Sequence, residues 1–229
     1  MGCPARSRLG VVSEVGAGVT DLVLSAVLFA CGAWLHRSEH AHRYWELTMW
    51  SAGGAALAGA AHHLVFAGSP RAADLSWVVV GVLVAVAISY LLAGTATATL
   101  HERLARLVIR ARVGGLLAYA TVMGLVGIGR TGPLVLSESV TMAAVVGLWF
   151  YGLQVGRPGS GRMLVAIAVL AASAIFIVVP TDAYPFLDAR SLQHLGQIPG
   201  VVLLSQVIAS GALSTPTRHH RTPTLQPDT

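Results

Sequence analysis

The stretch LSWVVVGVLVAVAISYLLAGTATATL, residues 75–100, decides the fold, because its 26 positions contain no charged side chain. A helix needs about 20 apolar residues to cross the hydrocarbon core of a bilayer. Pro70 precedes this run and the charged sequence HERLARLVIRAR, residues 101–112, follows it. An uncharged run of this length between polar boundaries predicts a transmembrane helix.

The composition of the whole chain favours a membrane protein as well. Only 11% of the residues are charged and 55% are hydrophobic, whereas an ordinary soluble domain is about 25% charged. All fifteen basic residues are arginines, so a retinal Schiff base and P-loop chemistry, which both need a lysine, are excluded. The basic residues lie between apolar runs and are not interleaved with aromatic residues, so no nucleic-acid partner is expected.

Further apolar runs predict an all-α, polytopic membrane bundle with seven transmembrane helices. Residues 1–17 are expected to form an N-terminal tail, residues 18–213 the transmembrane domain, and the polar residues 214–229 a disordered C-terminal tail. The seven predicted segments are 18–35, 45–67, 75–100, 113–128, 133–154, 163–179 and 192–213.

The distribution of arginines predicts the orientation of this bundle. With seven crossings, ten arginines fall on the side of the C-terminus and five on the side of the N-terminus. An excess of arginine marks the cytoplasmic side, so the N-terminus is predicted outside.

The bias towards Ala, Val, Gly and Arg suits a bacterial source, and we expect a multi-pass protein of the cell membrane. Residues 101–112 are expected to contact anionic membrane lipids. The helix centres contain almost no charge, which argues against ion-coupled transport.

Most of the ionisable residues at membrane depth are predicted to gather near the outer ends of the helices. Such residues are expensive in a bilayer and are therefore candidates for function. Histidines and carboxylates at one level are also the ligands that zinc prefers. The candidate metal ligands are His62, His63 and His194, and the candidate catalytic carboxylate is Asp74. Supporting carboxylates at the same level are Asp21, Asp182 and Asp188, with Glu138 about one turn into the fifth helix.

A purely structural role for these residues is an equal alternative. Asp21, Asp74 and Asp188 stand near predicted helix starts, where a carboxylate caps the helix and complements its dipole. His62 and His63 stand near a helix end, where polar side chains favour the membrane interface. A haem held between this pair and His194 is a further possibility, although the chain offers no second histidine pair for it.

Three short motifs resemble a known family in their order along the chain. They are AAHHLVF at 60–66, AADLSW at 72–77 and SLQHLGQIPG at 191–200. This layout resembles the seven-helix superfamily of the alkaline ceramidases, the Per1-type proteins and the progestin/adiponectin receptors. The resemblance implies a zinc-dependent hydrolase of a lipid amide or ester at the outer leaflet. In that case His62 or His63, together with His194, holds the zinc, and Asp74 is a ligand or a base.

The chain departs from the family's pattern at two places. The family has a serine four residues before its metal histidine, where this chain has Ala58 and Gly59. The family's HxxxH pair is also incomplete, since Arg190 and Ile198 flank His194 at that spacing. Asp182 or Asp188 could replace the missing ligand. Alternatively, the protein is not an enzyme and binds a lipid or a protein partner, with Arg190 and the histidines holding an anionic head group.

Overall fold

The computed structural model describes residues 8–126, 132–178 and 188–213, and within these ranges the regular structure is entirely helical. A π-helix, His62–Phe66, continues the second helix. The helices are α1 Arg8–His36, α2 Arg43–Ala61, α3 Pro70–Thr99, α4 Glu102–Val126, α5 Gly132–Gln154, α6 Ser160–Ala172, the single turn α7 Ile175–Val178, and α8 Ala189–Ala209. The predicted all-α fold is confirmed, and each of the seven predicted segments coincides with one of the seven long helices.

Two predicted boundaries were wrong. Helix α1 begins at Arg8, ten residues before the predicted start, so it takes in much of the expected N-terminal tail. Helix α4 begins at Glu102 and not at position 113, because the arginines that were assigned to a loop belong to its first three turns. Residues 1–7 and the predicted disordered tail, 214–229, lie outside the described residues.

Five of the described helices are long and apolar enough to cross a membrane. They are Glu14–His36, Pro70–Thr99, Val135–Gln154, Ser160–Ile177 and Ala189–Ala209. Helices α2 and α4 have the length but not the apolar composition. This composition indicates a multi-pass membrane protein.

Sequential helices run antiparallel and close into a ring. Close contacts align α1 against α2, since Gly18 meets Leu64 at one end and Gly32 meets Met49 towards the other. The ring continues from α2 through α3, α5, α6 and α8, and α8 packs back against α1. Helix α4 lies outside this ring, against α3 and α5. Consequently α1 and α8 are parallel neighbours, and their first turns lie at the same end of the bundle.

The two ends of the bundle are built differently. At the end where α1 and α8 finish, apolar side chains fill the interior, and we call it the packed end. Trp45 and Trp149 stack there with ring centroids 6.3 Å apart. Gly94 makes room for this pair, because a Cβ at that position would lie 2.9 Å from the Trp45 indole. At the opposite end, where α1, α3 and α8 begin, polar residues surround a cavity, and we call it the cavity end.

Candidate functional site

A cavity of about 550 Å³ lies between α1, α2, α3 and α8. Its volume falls within the range of roughly 300–1,000 Å³ that is usual for small-molecule sites. Polar side chains line its outer part, namely Asp21, His63, Arg190, Gln193, His194 and Gln197. Apolar residues line its inner part, among them Leu28, Ala52, Val84 and Ile88, while Leu24 and Ala56 lie at the depth of Gln197. The cavity is therefore polar at one end and apolar at the other.

The length of this cavity can be measured along α3. Lining residues on α3 extend from Trp77 to Ile88, and eleven residues of α-helix span about 16 Å. The hydrocarbon core of a bilayer is about 30 Å thick, so the cavity is about as deep as one leaflet. Its long axis follows the helices.

One ion pair at the cavity joins the first and last long helices. Nδ1 of His194 lies 2.8 Å from Oδ1 of Asp21, although the ring is not aligned for a hydrogen bond. The carboxylate is buried against α2. It fits there because position 59 is a glycine, and a Cβ at Gly59 would lie 2.6 Å from Oδ2 of Asp21.

The adjacent histidines His62 and His63 are both buried, each with its own partner. The π-helix makes this possible, because its wider turn sets the two rings 5.1 Å apart and nearly perpendicular. Nδ1 of His63 donates to Oε2 of Glu14 over 2.7 Å. Nδ1 of His62 lies 2.7 Å from the Ser76 hydroxyl. Since that hydroxyl donates to the carbonyl of Ala73, its oxygen accepts from the His62 ring, and Ser76 is not an activated nucleophile.

Helix α8 presents a polar face to the cavity. Arg190, Gln193, His194 and Gln197 follow the i, i+3, i+4, i+7 spacing of one helix face, and all four line the cavity. His194 contacts Asp21. Within the described residues, the side chains of the other three make no hydrogen bond or ion pair. Arg190 and His194 were candidates from the sequence, whereas Gln193 and Gln197 were missed, although their spacing on the same helix face was a readable signal.

The structure brings some of the predicted site residues together and separates others. Asp21, His63, His194 and Arg190 meet at the cavity, while His62 lies behind His63. Asp74, the predicted catalytic residue, is exposed on α3 and has no ion-pair partner among the described residues. Asp188 caps α8, accepting from the backbone N–H and the hydroxyl of Ser191, as the structural alternative predicted. Asp182 lies outside the described residues.

The described residues do not fit the zinc site that the resemblance implies. Across these residues, no group of three His, Cys, Asp or Glu side chains is placed to hold one metal ion. A zinc site needs three or four protein ligands. The Nδ1 atoms of the three histidines face Ser76, Glu14 and Asp21. Such contacts also orient histidines that bind a metal through the other ring nitrogen, so they do not argue against a metal. Zinc hydrolysis stays a prediction to which this geometry adds no support.

A second polar centre lies between α3, α4 and α5. Arg112, which the sequence analysis assigned to a lipid-contacting segment, is buried ten residues inside α4. Its Nη2 lies 3.1 Å from Oε1 of Glu138 and 3.3 Å from the carbonyl of Ala85. The remaining donors bond to the hydroxyls of Ser89, Ser137 and Thr141. All five N–H groups of the guanidinium therefore have acceptors, and the expectation of nearly uncharged helix centres was wrong.

The chain matches one family, described as "Family of unknown function (DUF6962)", over residues 17–212. No curated protein and no solved structure matches it. The matched segment takes in most of α1 and all of the helices from α2 to α8, so it covers both the cavity and the Arg112 centre. The chain belongs to this family.

Proposed function

We propose that this DUF6962 protein binds a single-chain amphiphile with an anionic head group in the cavity between α1, α2, α3 and α8. The head group lies at the polar end, and the acyl chain extends along the helices into the apolar end. The protein acts as a membrane binding protein, with lipids of the bilayer as the source of its ligand.

The observation that carries this proposal is the change of lining from polar to apolar along a cavity about one leaflet deep. One wall at the outer part carries Arg190, the only cavity-lining side chain with a permanent positive charge among the described residues. A guanidinium holds a carboxylate or phosphate in a bidentate contact. Towards the inner part, small residues such as Ala52 and Ala87 leave room for a chain of methylene groups.

The proposed orientation is that of a seven-crossing protein with its N-terminus outside the cell. Seven long helices alternate in direction, so the two ends of the bundle face opposite sides of the membrane. The packed end carries Arg37, Arg43, Arg103, Arg157 and Arg162, and such an excess favours the cytoplasmic side. The cavity then opens at the outer leaflet.

Cysteine labelling in intact cells tests this orientation, in a variant from which Cys3 has been removed. A cysteine in place of the exposed Ser69 should react with a membrane-impermeant thiol reagent, whereas a cysteine in place of Glu39 should not.

Native mass spectrometry of the detergent-purified protein tests the binding. We expect pentadecanoate to bind with one ligand per chain and Arg190→Gln to weaken it about ten-fold or more, as the loss of a charge-assisted contact would. Arg71→Gln is the matched control, because Arg71 is an exposed arginine at the same end of the bundle that does not line the cavity.

The length of the ligand's acyl chain provides a second test of the proposed binding mode. A leucine in place of Ala56 fills the apolar part of the cavity, where position 56 is buried. This variant should reject pentadecanoate and still bind octanoate. If Arg190→Gln and Arg71→Gln bind alike and Ala56→Leu does not change the preferred length, the ligand does not occupy the cavity and the proposal is wrong.

A further inference from the structure

Two glutamine side chains on α8 line the cavity below Arg190 and lack protein partners. Gln193 and Gln197 both face the cavity, and within the described residues neither carboxamide makes a hydrogen bond. Gln193 stands about 4.5 Å along the helix axis from Arg190, and Gln197 about 10 Å. An anionic head group at Arg190 therefore leaves further hydrogen-bonding capacity one and two turns deeper.

The opposite wall offers no partner for the Gln197 carboxamide, because at that depth it consists of Leu24 on α1, Ala56 on α2 and Val80 on α3. At the depth of Gln193 the opposite wall holds Asp21, which contacts His194. A carboxamide both donates and accepts hydrogen bonds, and leaving it unpaired in apolar surroundings costs free energy. A plain hydrocarbon chain would leave both glutamines unsatisfied, whereas a ligand with a polar group at this depth would satisfy them.

We infer that the ligand carries a second polar group, able to donate and accept hydrogen bonds, about one to two helical turns from its anionic head. Gln193 and Gln197 recognise this group and make the site selective against simple fatty acids. A hydroxyl or a secondary amide has this chemistry. The inference rests on the proposed function, because it names the class of amphiphile that the same cavity takes.

Two probes of equal length test the inference. 6-(Octanoylamino)hexanoate and pentadecanoate share a carboxylate head and the same number of chain atoms, but only the first has an amide one to two helical turns from the head. We expect the wild-type protein to bind 6-(octanoylamino)hexanoate about ten-fold more tightly, the effect of one or two net hydrogen bonds. The double variant Gln193→Leu/Gln197→Leu should lose this preference and bind pentadecanoate at least as well as the wild type does.

Gln206→Leu is the matched control. Gln206 lies on the same helix at the packed end and does not line the cavity, so this variant should keep the ten-fold preference. Equal binding of the two probes to the wild type, or an undiminished preference in the double variant, would overturn the inference and leave the proposed function standing. Binding of neither probe would overturn both.

Discussion

Nδ1 of His194 lies 2.8 Å from Oδ1 of Asp21, so this polar contact joins the last long helix of the chain to the first at the cavity end. The carboxylate is almost fully buried and the imidazole about one-fifth exposed. Since α1 and α8 are the two helices at which the ring of helices closes, this pair stabilises the closure at the cavity end. At the packed end the hydroxyl of Ser38, two residues after α1, donates to the carbonyl of Ala209 on α8 over 3.4 Å.

We expect Asp21→Asn to destabilise the protein by about 1–3 kcal/mol, the usual contribution of a hydrogen-bonded or paired charge. The substitution keeps the shape of the side chain and removes the charge that faces His194. Thermal unfolding in detergent measures the effect. Asp74→Asn is the control, because Asp74 is exposed and a change there should stay within about 0.5 kcal/mol. Equal effects of the two substitutions would contradict the role given to Asp21.

Gly59→Ala should displace the Asp21 carboxylate, because the new Cβ would lie 2.6 Å from Oδ2. We expect a loss of about 1–3 kcal/mol from this overpacking, although alanine is the better helix former. Gly54→Ala on the same helix is the matched control. A Cβ there would meet Leu83 at an ordinary 3.7 Å, so that variant should be neutral or slightly more stable.

The Gly59 prediction can be separated from a general effect on α2. In an Asp21→Ala background the clashing oxygen is gone, so Gly59→Ala should no longer destabilise the protein. A loss of the same size in both backgrounds would show that the close approach of α1 and α2 does not depend on this carboxylate.

Removing either member of the Arg112–Glu138 pair should destabilise the protein strongly. Both side chains are about nine-tenths buried, and breaking a buried pair leaves an uncompensated charge at a cost of about 3–5 kcal/mol. We expect Arg112→Leu and Glu138→Leu each to lower the unfolding free energy by that amount. The double variant should lose less than the sum, because it leaves neither charge alone. Strict additivity would mean that the two groups do not stabilise each other.

The metal content of the purified protein tests the zinc hydrolase that the family resemblance implies, for which no three ligand side chains converge on one point among the described residues. Elemental mass spectrometry of protein prepared without chelators measures the metal content. Near-stoichiometric zinc that disappears in His194→Ala would support this hydrolase.

The helices were predictable because hydropathy depends on composition alone. The start of α4 was not predictable, because a segment with four arginines is typical of a loop outside the membrane. Only the tertiary structure shows that Arg112 is buried and paired with Glu138. The shared depth of Asp21, His63 and His194 followed from the alternation of helix directions. The exposure of Asp74 did not, because it depends on the rotation of α3. Ser76 faces the histidines, and Asp74, two positions earlier, lies about 200° around the helix from it and so points away from the site.

The partners of the site were harder to predict than its histidines. Glu14 and Ser76 hold the histidine rings through contacts between helices, and no spacing in the sequence indicates such contacts. Gln193 and Gln197, in contrast, could have been predicted from the sequence, since the polar residues from Arg190 to Gln197 follow one face of an otherwise apolar helix. A polar face on a predicted transmembrane helix indicates a cavity or a neighbouring polar group.

The buried arginine of α4 also has a consequence for biosynthesis. As α4 leaves the ribosome alone, Arg112 opposes its entry into the bilayer by about 2.5–3.5 kcal/mol. The acceptors Ser137, Glu138 and Thr141 are synthesised only with α5. The two helices should therefore enter the lipid together, as one hairpin released from the translocon. A nascent chain arrested before α5 should leave α4 accessible to water-soluble reagents, and a chain that includes α5 should protect it.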